Sequence, residues 1–201
     1  MPKLILFNGP RHSGKDTACN YLEATWHNIY NFKMSAPIKA GIKGMFNLTD
    51  VQVNYLESIK TEPTPLLGGR SYVECQISFS ETWAKHFFGK SIFGDLAARR
   101  IYRDDISDDT ICVCSDSGFV EEVDPVLKII GKQNTLLVHI FRDGKTYEGD
   151  SRSYIKLPGV TTVEVTNNGS VPDYLKAVEH IASEFTNDRQ DLLPKSRLLN
   201  S

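Results

Sequence analysis

The stretch Gly9-Pro10-Arg11-His12-Ser13-Gly14-Lys15-Asp16-Thr17 constrains this chain more than any other. An apolar run, Leu4-Ile5-Leu6-Phe7, leads into it, and Ala18, Tyr21, Leu22 and Trp26 leave it at near-helical spacing. Strand, glycine-rich loop and helix, in that order, are the context in which backbone amides cradle an anion. Gly9 and Gly14 permit a tight turn and close approach of the backbone to a phosphate. The open N–H groups of the loop, through Arg11, His12 and Ser13, and of the helix start then point at phosphate oxygens. Lys15 adds a point charge that reaches the β and γ phosphates of a nucleotide. One position departs from the common G-x-x-x-x-G-K-[ST] pattern: residue 16 is Asp, and the hydroxyl follows at Thr17. Asp16 and Thr17 are therefore candidate ligands for Mg2+, a hard cation that takes oxygen donors.

Length and composition narrow the class. A chain of 201 residues, 40% hydrophobic and 24% charged, suits one globular domain with room for a small insertion. It has no run of roughly 18 apolar residues, so no membrane span is expected. The first strand begins almost at once, so no signal peptide is expected either. A net charge of −2 argues against a protein held to nucleic acid by bulk charge alone. The charge is uneven: residues 1–45 carry six Lys/Arg against two acids, and residues 104–124 carry eight acids and no Lys/Arg. The four cysteines, Cys19, Cys75, Cys112 and Cys114, form no C-x-x-C pair, and Cys112 and Cys114 share one face of a strand. Buried thiols in a reducing, cytoplasmic compartment are the expectation. The five histidines show no metal-ligand spacing.

Taken in order, residues 3–8 form a first strand, apolar enough to lie centrally in a parallel sheet. Helices are expected over about 14–26, from Ser35-Ala36-Pro37 with Ile38, Ile42, Met45 and Phe46 on one face, and over a short piece from Asp50 to Ile59. A helix over 71–88 presents Val73, Ile77, Ala84, Phe87 and Phe88 as its core stripe, and Glu81 and Trp83 lie on it. Another follows over 91–103. A weak strand spans Ile29 to Met34, and stronger ones cover 110–114, 135–141 and 161–165. Helices over 119–131 and from Ser170, capped with Asp173, complete the alternation, and residues 187–201 lose the pattern.

Candidate site residues follow from this layout. Lys39 lies near a helix start, where the dipole disfavours a cation unless an anion is held. Arg70 follows the Gly68-Gly69 turn and can grip phosphate. Asp116 stands at the C-terminal end of a buried strand, facing the ligand crevice, as the second acid on Mg2+ or on an acceptor hydroxyl. Glu122 points back toward the same crevice. Arg142 and Arg152 lie in a polar stretch that can close over transferring phosphates. Strands alternating with helices imply an α/β, three-layer α/β/α P-loop kinase fold with a mainly parallel sheet.

The sequence resembles the bacteriophage-type deoxynucleoside monophosphate kinases, within the wider nucleoside monophosphate kinase group. The residues that carry the resemblance are the Gly9–Thr17 loop with its Gly-Lys-Asp-Thr ending, Ala36-Pro37-Ile38-Lys39, Gly68-Gly69-Arg70, Ser115-Asp116, and Thr166-Asn167-Asn168-Gly169-Ser170. The Gly-Lys-Asp loop is fairly specific; phosphomevalonate kinases are the other group that uses it. The resemblance implies one domain over 1–201, a helical acceptor-binding insertion over about 36–105 and a lid over about 142–155. It implies ATP- and Mg2+-dependent transfer to a deoxynucleoside monophosphate in the cytoplasm, a host's if the chain is phage-encoded, with a homodimer among the expected assemblies. Lys15 and the loop amides would hold ATP, Asp16 and Thr17 would serve Mg2+, and Lys39, Asp116 and Glu122 would line the acceptor side.

Two departures bear on the acceptor. The family often has an arginine where this chain has Tyr72, and another where it has Gly118. Those arginines clamp the acceptor's monophosphate, a bidentate task that a lone lysine does not reproduce. Similar phage kinases phosphorylate 5-hydroxymethyluracil within DNA, which needs no such clamp and requires an extruded base. A nucleotide-binding regulatory protein without acceptor is the remaining alternative, and the intact Lys15 speaks against it.

Overall fold

The structure, a computed structural model, describes residues 1–104, 106–150 and 152–186. The expected loss of pattern over 187–201 lies outside the described residues.

Five parallel strands form one sheet: β1 (Lys3–Asn8), β2 (Ile29–Phe32), β3 (Ile111–Cys114), β4 (Thr135–Phe141) and β5 (Thr161–Thr166), in the order β2-β3-β1-β4-β5. β1 is central, with Leu4 opposite Cys112 of β3 and Asn8 opposite His139 of β4. Its side chains alternate between two cores, which is why it reads as continuously apolar. Ile5 and Phe7 join Val113 and Val138 beneath α1 (Lys15–Thr25) and α8 (Val171–Thr186). Leu4 and Leu6 join Cys112, Cys114 and Leu137 on the other face. That face is covered by α2 (Ala36–Met45), α3 (Asp50–Ser58), α4 (Tyr72–Ile77), α6 (Ile92–Arg103) and α7 (Val120–Ile130). The result is the three-layer α/β/α fold with a parallel sheet and a helical insertion between β2 and β3.

Parallel strands place all their C-terminal ends on one edge. α1 crosses one face from β1 to β2, and α7 crosses the other face from β3 to β4. The loops after β1 and β3 therefore diverge and leave a crevice between them, the place where open α/β sheets hold ligands.

The helix expected over 71–88 is continuous but changes pitch. α4 passes into a π-helical stretch, Ser78–Ala84, and then into α5 (Lys85–Phe88). The wider turn rotates the side chains that follow it, so Phe87 and Phe88 leave the stripe expected from α periodicity. Tyr72, Ser80 and Ala84 face inward, whereas Ile77, Trp83, Phe87 and Phe88 are 48–66% exposed. Val73 is half-buried and Glu81 lies on the outside. Phe79 instead packs on α2, where a Cβ at Gly41 would meet its ring at 2.6 Å. Trp83 packs against Phe79 at a tilt and against Phe88 edge-on, with centroids 5.0 and 5.5 Å apart. On α2, Ile38 and Ile42 are buried as expected, but Met45 is 67% exposed.

Candidate active site

The loop between β1 and α1 needs both of its glycines. A Cβ at Gly9 would lie 2.7 Å from the Ile140 carbonyl oxygen and from Ser13 Oγ. Gly14 has φ +109°, and a Cβ there would lie 2.5 Å from Asn167 Nδ2. Neighbouring elements hold the loop from outside. Asn167 Nδ2 donates to the Ser13 carbonyl (2.7 Å), Tyr174 Oη to that of Gly14 (3.0 Å), and Arg142 Nη1 to that of His12 (3.0 Å). The buried Ser13 hydroxyl has no hydrogen-bond partner among the described residues. α1 opens at Lys15 without a side-chain cap, so its first-turn amides have no intrahelical acceptor. Lys15 Nζ turns back onto the Gly9 and Pro10 carbonyls, 2.6 Å from each. Burial, with Arg152 nearby, lowers its pKa to about 8, against the opposing pull of Asp16 and Asp150. Arg11 and His12 are exposed on the loop's outer turn, with His12 at φ +63°.

Asp16 faces the ends of β2 and β3. Its Oδ1 accepts from the Lys33 ammonium and, at 2.7 Å, from the Ser115 hydroxyl. Burial pushes the carboxyl up, and the bonds from Lys33 and Ser115 outweigh it, so the group rests below its ordinary range. Thr17 is exposed beside it on α1. The described residues contain no cluster of three or more His, Cys, Asp or Glu placed to hold a metal. Mg2+ is commonly held by one or two carboxylates together with water and substrate phosphates. The exposed Asp16 carboxylate and Thr17 hydroxyl beside an open helix N-terminus fit that requirement.

Asp116 does reach the crevice, but its oxygens are engaged. Oδ1 accepts from the Met34 amide (3.0 Å) and the Cys114 thiol (3.1 Å), and Oδ2 from the Ser35 amide (2.9 Å) and hydroxyl (2.6 Å). The carboxylate thus ties the end of β3 to the turn that starts α2.

Within the helical insertion, Lys39 pairs with Glu57 of α3 at 2.5 Å, and Lys60 pairs with the same carboxylate at 3.3 Å. Burial pushes Glu57 up, but the two lysines hold it below its ordinary range. Tyr72 lies near this group, and its buried hydroxyl has no hydrogen-bond partner among the described residues. Glu122 is buried at the start of α7 and pairs with Lys85 at 3.0 Å. Burial raises the Glu122 pKa despite that lysine. Lys85 also meets Glu81 at 2.8 Å and lies 3.9 Å over the Phe119 ring. A cavity of about 350 Å³ opens here, between Glu81, Lys85, Lys90 and Phe119. Arg70 stands exposed just beyond the Gly68-Gly69 turn.

The segment after β4 is anchored at both ends. Arg142 holds the loop between β1 and α1, and Asn8 Oδ1 accepts from the Ile155 amide at 3.1 Å while Asn8 Nδ2 donates to the Ser117 carbonyl at 2.8 Å. Tyr154 stacks on Phe141 at 4.6 Å. Arg152 is chelated by Asp150, with Nε 2.9 Å from Oδ1 and Nη2 2.5 Å from Oδ2. A larger groove, about 480 Å³, runs beside β5 along Tyr154, Pro158 and Glu164, but no residue of the loop between β1 and α1 lines it.

The structure thus brings Lys15, Asp16, Arg142 and Arg152 to one loop system. Lys39 and Glu122 stand in separate ion pairs within and beside the insertion. Lys33, Asn8, Lys85 and Asp150 were not singled out from the sequence, and Asn167 was named there only within the stretch that carries the resemblance. For Lys33 a signal existed: it directly follows β2, at the strand end that faces the crevice.

No family model matches the chain, and no curated protein matches it. Among solved structures, a thymidylate kinase from Candida albicans is similar at 11% identity and a TM-score of 0.44, over 96% of this chain and 97% of that one.

Proposed function

We propose that this chain is an ATP- and Mg2+-dependent phosphotransferase that passes the γ-phosphoryl group to a deoxynucleoside monophosphate. The observation that carries the reading is the Gly9–Thr17 loop, whose two glycines admit no side chain and which opens onto an uncapped helix carrying Lys15. Loop and first-turn amides hold the phosphate chain, and the Lys15 ammonium exchanges its two carbonyl contacts for phosphate oxygens. Asp16 and Thr17 would hold Mg2+, which when bound neutralises charge across the phosphates. Arg142 and Arg152 stand at the loop's flank to meet charge that develops on the transferring group. Asp116 fixes the turn from which α2 and Lys39 project, and so orients the acceptor side. The segment 142–155 serves as the cover over the phosphates and the helical insertion as the acceptor-binding part. The four cysteines, none in a disulfide, support a reducing compartment for this activity.

A second acceptor has an observation in its favour. Glu57 neutralises Lys39, and Tyr72 and Gly118 stand where arginines would clamp a monophosphate. An uncharged hydroxyl, such as that of 5-hydroxymethyluracil within DNA, makes no demand on that clamp. Labelled-phosphate transfer from ATP, with deoxynucleoside monophosphates and 5-hydroxymethyluracil duplex DNA offered side by side, separates the two. Label in diphosphates supports the first acceptor, label in DNA alone the second, and no label in either overturns the phosphotransferase reading.

A further inference from the structure

We propose that Lys33 is a tethered counter-ion for the metal position, holding Asp16 until a divalent cation takes that carboxylate. The proposal rests on the reading of Asp16 as a Mg2+ ligand. Three elements meet at one point: the first turn of α1 supplies Asp16, the end of β2 supplies Lys33, and the end of β3 supplies Ser115. The Lys33 ammonium donates both to Asp16 Oδ1 and to Ser115 Oγ, and Ser115 Oγ donates to the same Oδ1 at 2.7 Å, so the three groups close a triangle.

The root of the lysine is fixed. Arg100 Nη2 donates to the Lys33 carbonyl at 3.1 Å, and the two following amides, of Met34 and Ser35, are bound by Asp116. Its ammonium therefore arrives from a clamped backbone. The Asp16 side chain is 74% exposed and that of Lys33 34%, so the carboxylate is open to an incoming cation from the solvent side. An ammonium and a dication on one carboxylate oxygen repel each other, so the metal displaces the lysine. The ammonium thereby weakens capture of bare metal and leaves the position to a metal that brings its own phosphate ligands.

The test uses the full chain and Mn2+ alone, with the free-ion signal followed by electron paramagnetic resonance. Wild type, Lys33→Met, Lys33→Gln and Asp16→Asn are compared, with circular dichroism melts to establish folding. Removing the lysine should tighten Mn2+ binding roughly two- to fivefold, the scale of a partly exposed ion pair. Asp16→Asn should bind more weakly than wild type. Lys33 variants that bind no tighter, while Asp16→Asn loses affinity, overturn the counter-ion and leave the metal assignment standing. Asp16→Asn binding as wild type does removes the metal assignment and the proposal with it.

Discussion

The stem of Arg152 lies across Gly118, so closely that a Cβ on the glycine would come within 2.5 Å of the arginine Cδ and 2.8 Å of its Cγ. The two residues belong to different loops, after β4 and after β3. The bare position lets a guanidinium from the later loop cross the crevice, where Asp150 orients it. Gly118→Ala should push Arg152 aside and lower kcat/KM roughly tenfold, about 1.4 kcal/mol of transition-state stabilisation. A steady-state assay showing wild-type kcat/KM in a folded variant would refute this role for the contact.

Lys15→Ala should abolish phosphoryl transfer and leave the fold intact. The lysine's lowered pKa means that its buried charge does not favour the native state. The melting temperature should therefore hold or rise as turnover vanishes. Persistent ADP formation at the wild-type rate would remove the phosphate loop from the mechanism.

The same lysine sets a pH dependence with a definite sign. Its folded pKa, about 8, lies below the ordinary 10.5. Between these values the unfolded chain binds more protons than the native one, so this group's contribution to stability rises with pH across that window. Nucleotide affinity should move the other way, weakening above about pH 8 as the ammonium is lost. Calorimetric titration near that pH, in buffers of different ionisation enthalpy, should show proton uptake on ATP binding. Proton-neutral binding would contradict the shift.

Asp116→Asn distinguishes a positioning acid from a reacting one. Asp116 accepts from the amides of Met34 and Ser35 through different oxygens, and an asparagine has only one acceptor to offer. Stability should fall by about 1.5–3 kcal/mol, the scale of a hydrogen bond to a charged group. Denaturant unfolding measures it. Unchanged stability with lost turnover would make Asp116 a reacting group instead.

Gly94→Ala should be the most damaging conservative change in the insertion. A Cβ there would lie 1.9 Å from the Glu122 carbonyl oxygen, a backbone atom that cannot rotate away. α6 and α7 would have to separate, at a cost of about 1–3 kcal/mol or more. An undiminished melting temperature would show that the helices have slack.

The sheet, the glycine-rich turn between β1 and α1 and most helices were legible because their signals are local. The apolar runs of β1, β3 and β4 and the spacing of Tyr174, Val178 and Ala182 on α8 each declare their own element. Side-chain partnerships were not legible, because they join distant stretches. Lys33 meets a residue 17 positions away and another 82 positions away, and Arg152 meets Gly118 only after the sheet has brought their loops together. The π-helical turn at Ser78–Ala84 took Phe87 and Phe88 off the stripe expected for their helix, since a 3.6-residue period carries the wrong rotation past it.

The chain's two tryptophans stand in different layers and surroundings. Trp26 is buried at the C-terminal end of α1, and Trp83 is half exposed among the aromatic rings of the insertion. The molecule therefore carries two optical reporters that solvent treats differently. A small quencher such as acrylamide should silence Trp83 well before Trp26. A substrate that engages the insertion would shift the Trp83 emission alone, while unfolding moves both, so one fluorescence record separates acceptor binding from loss of structure.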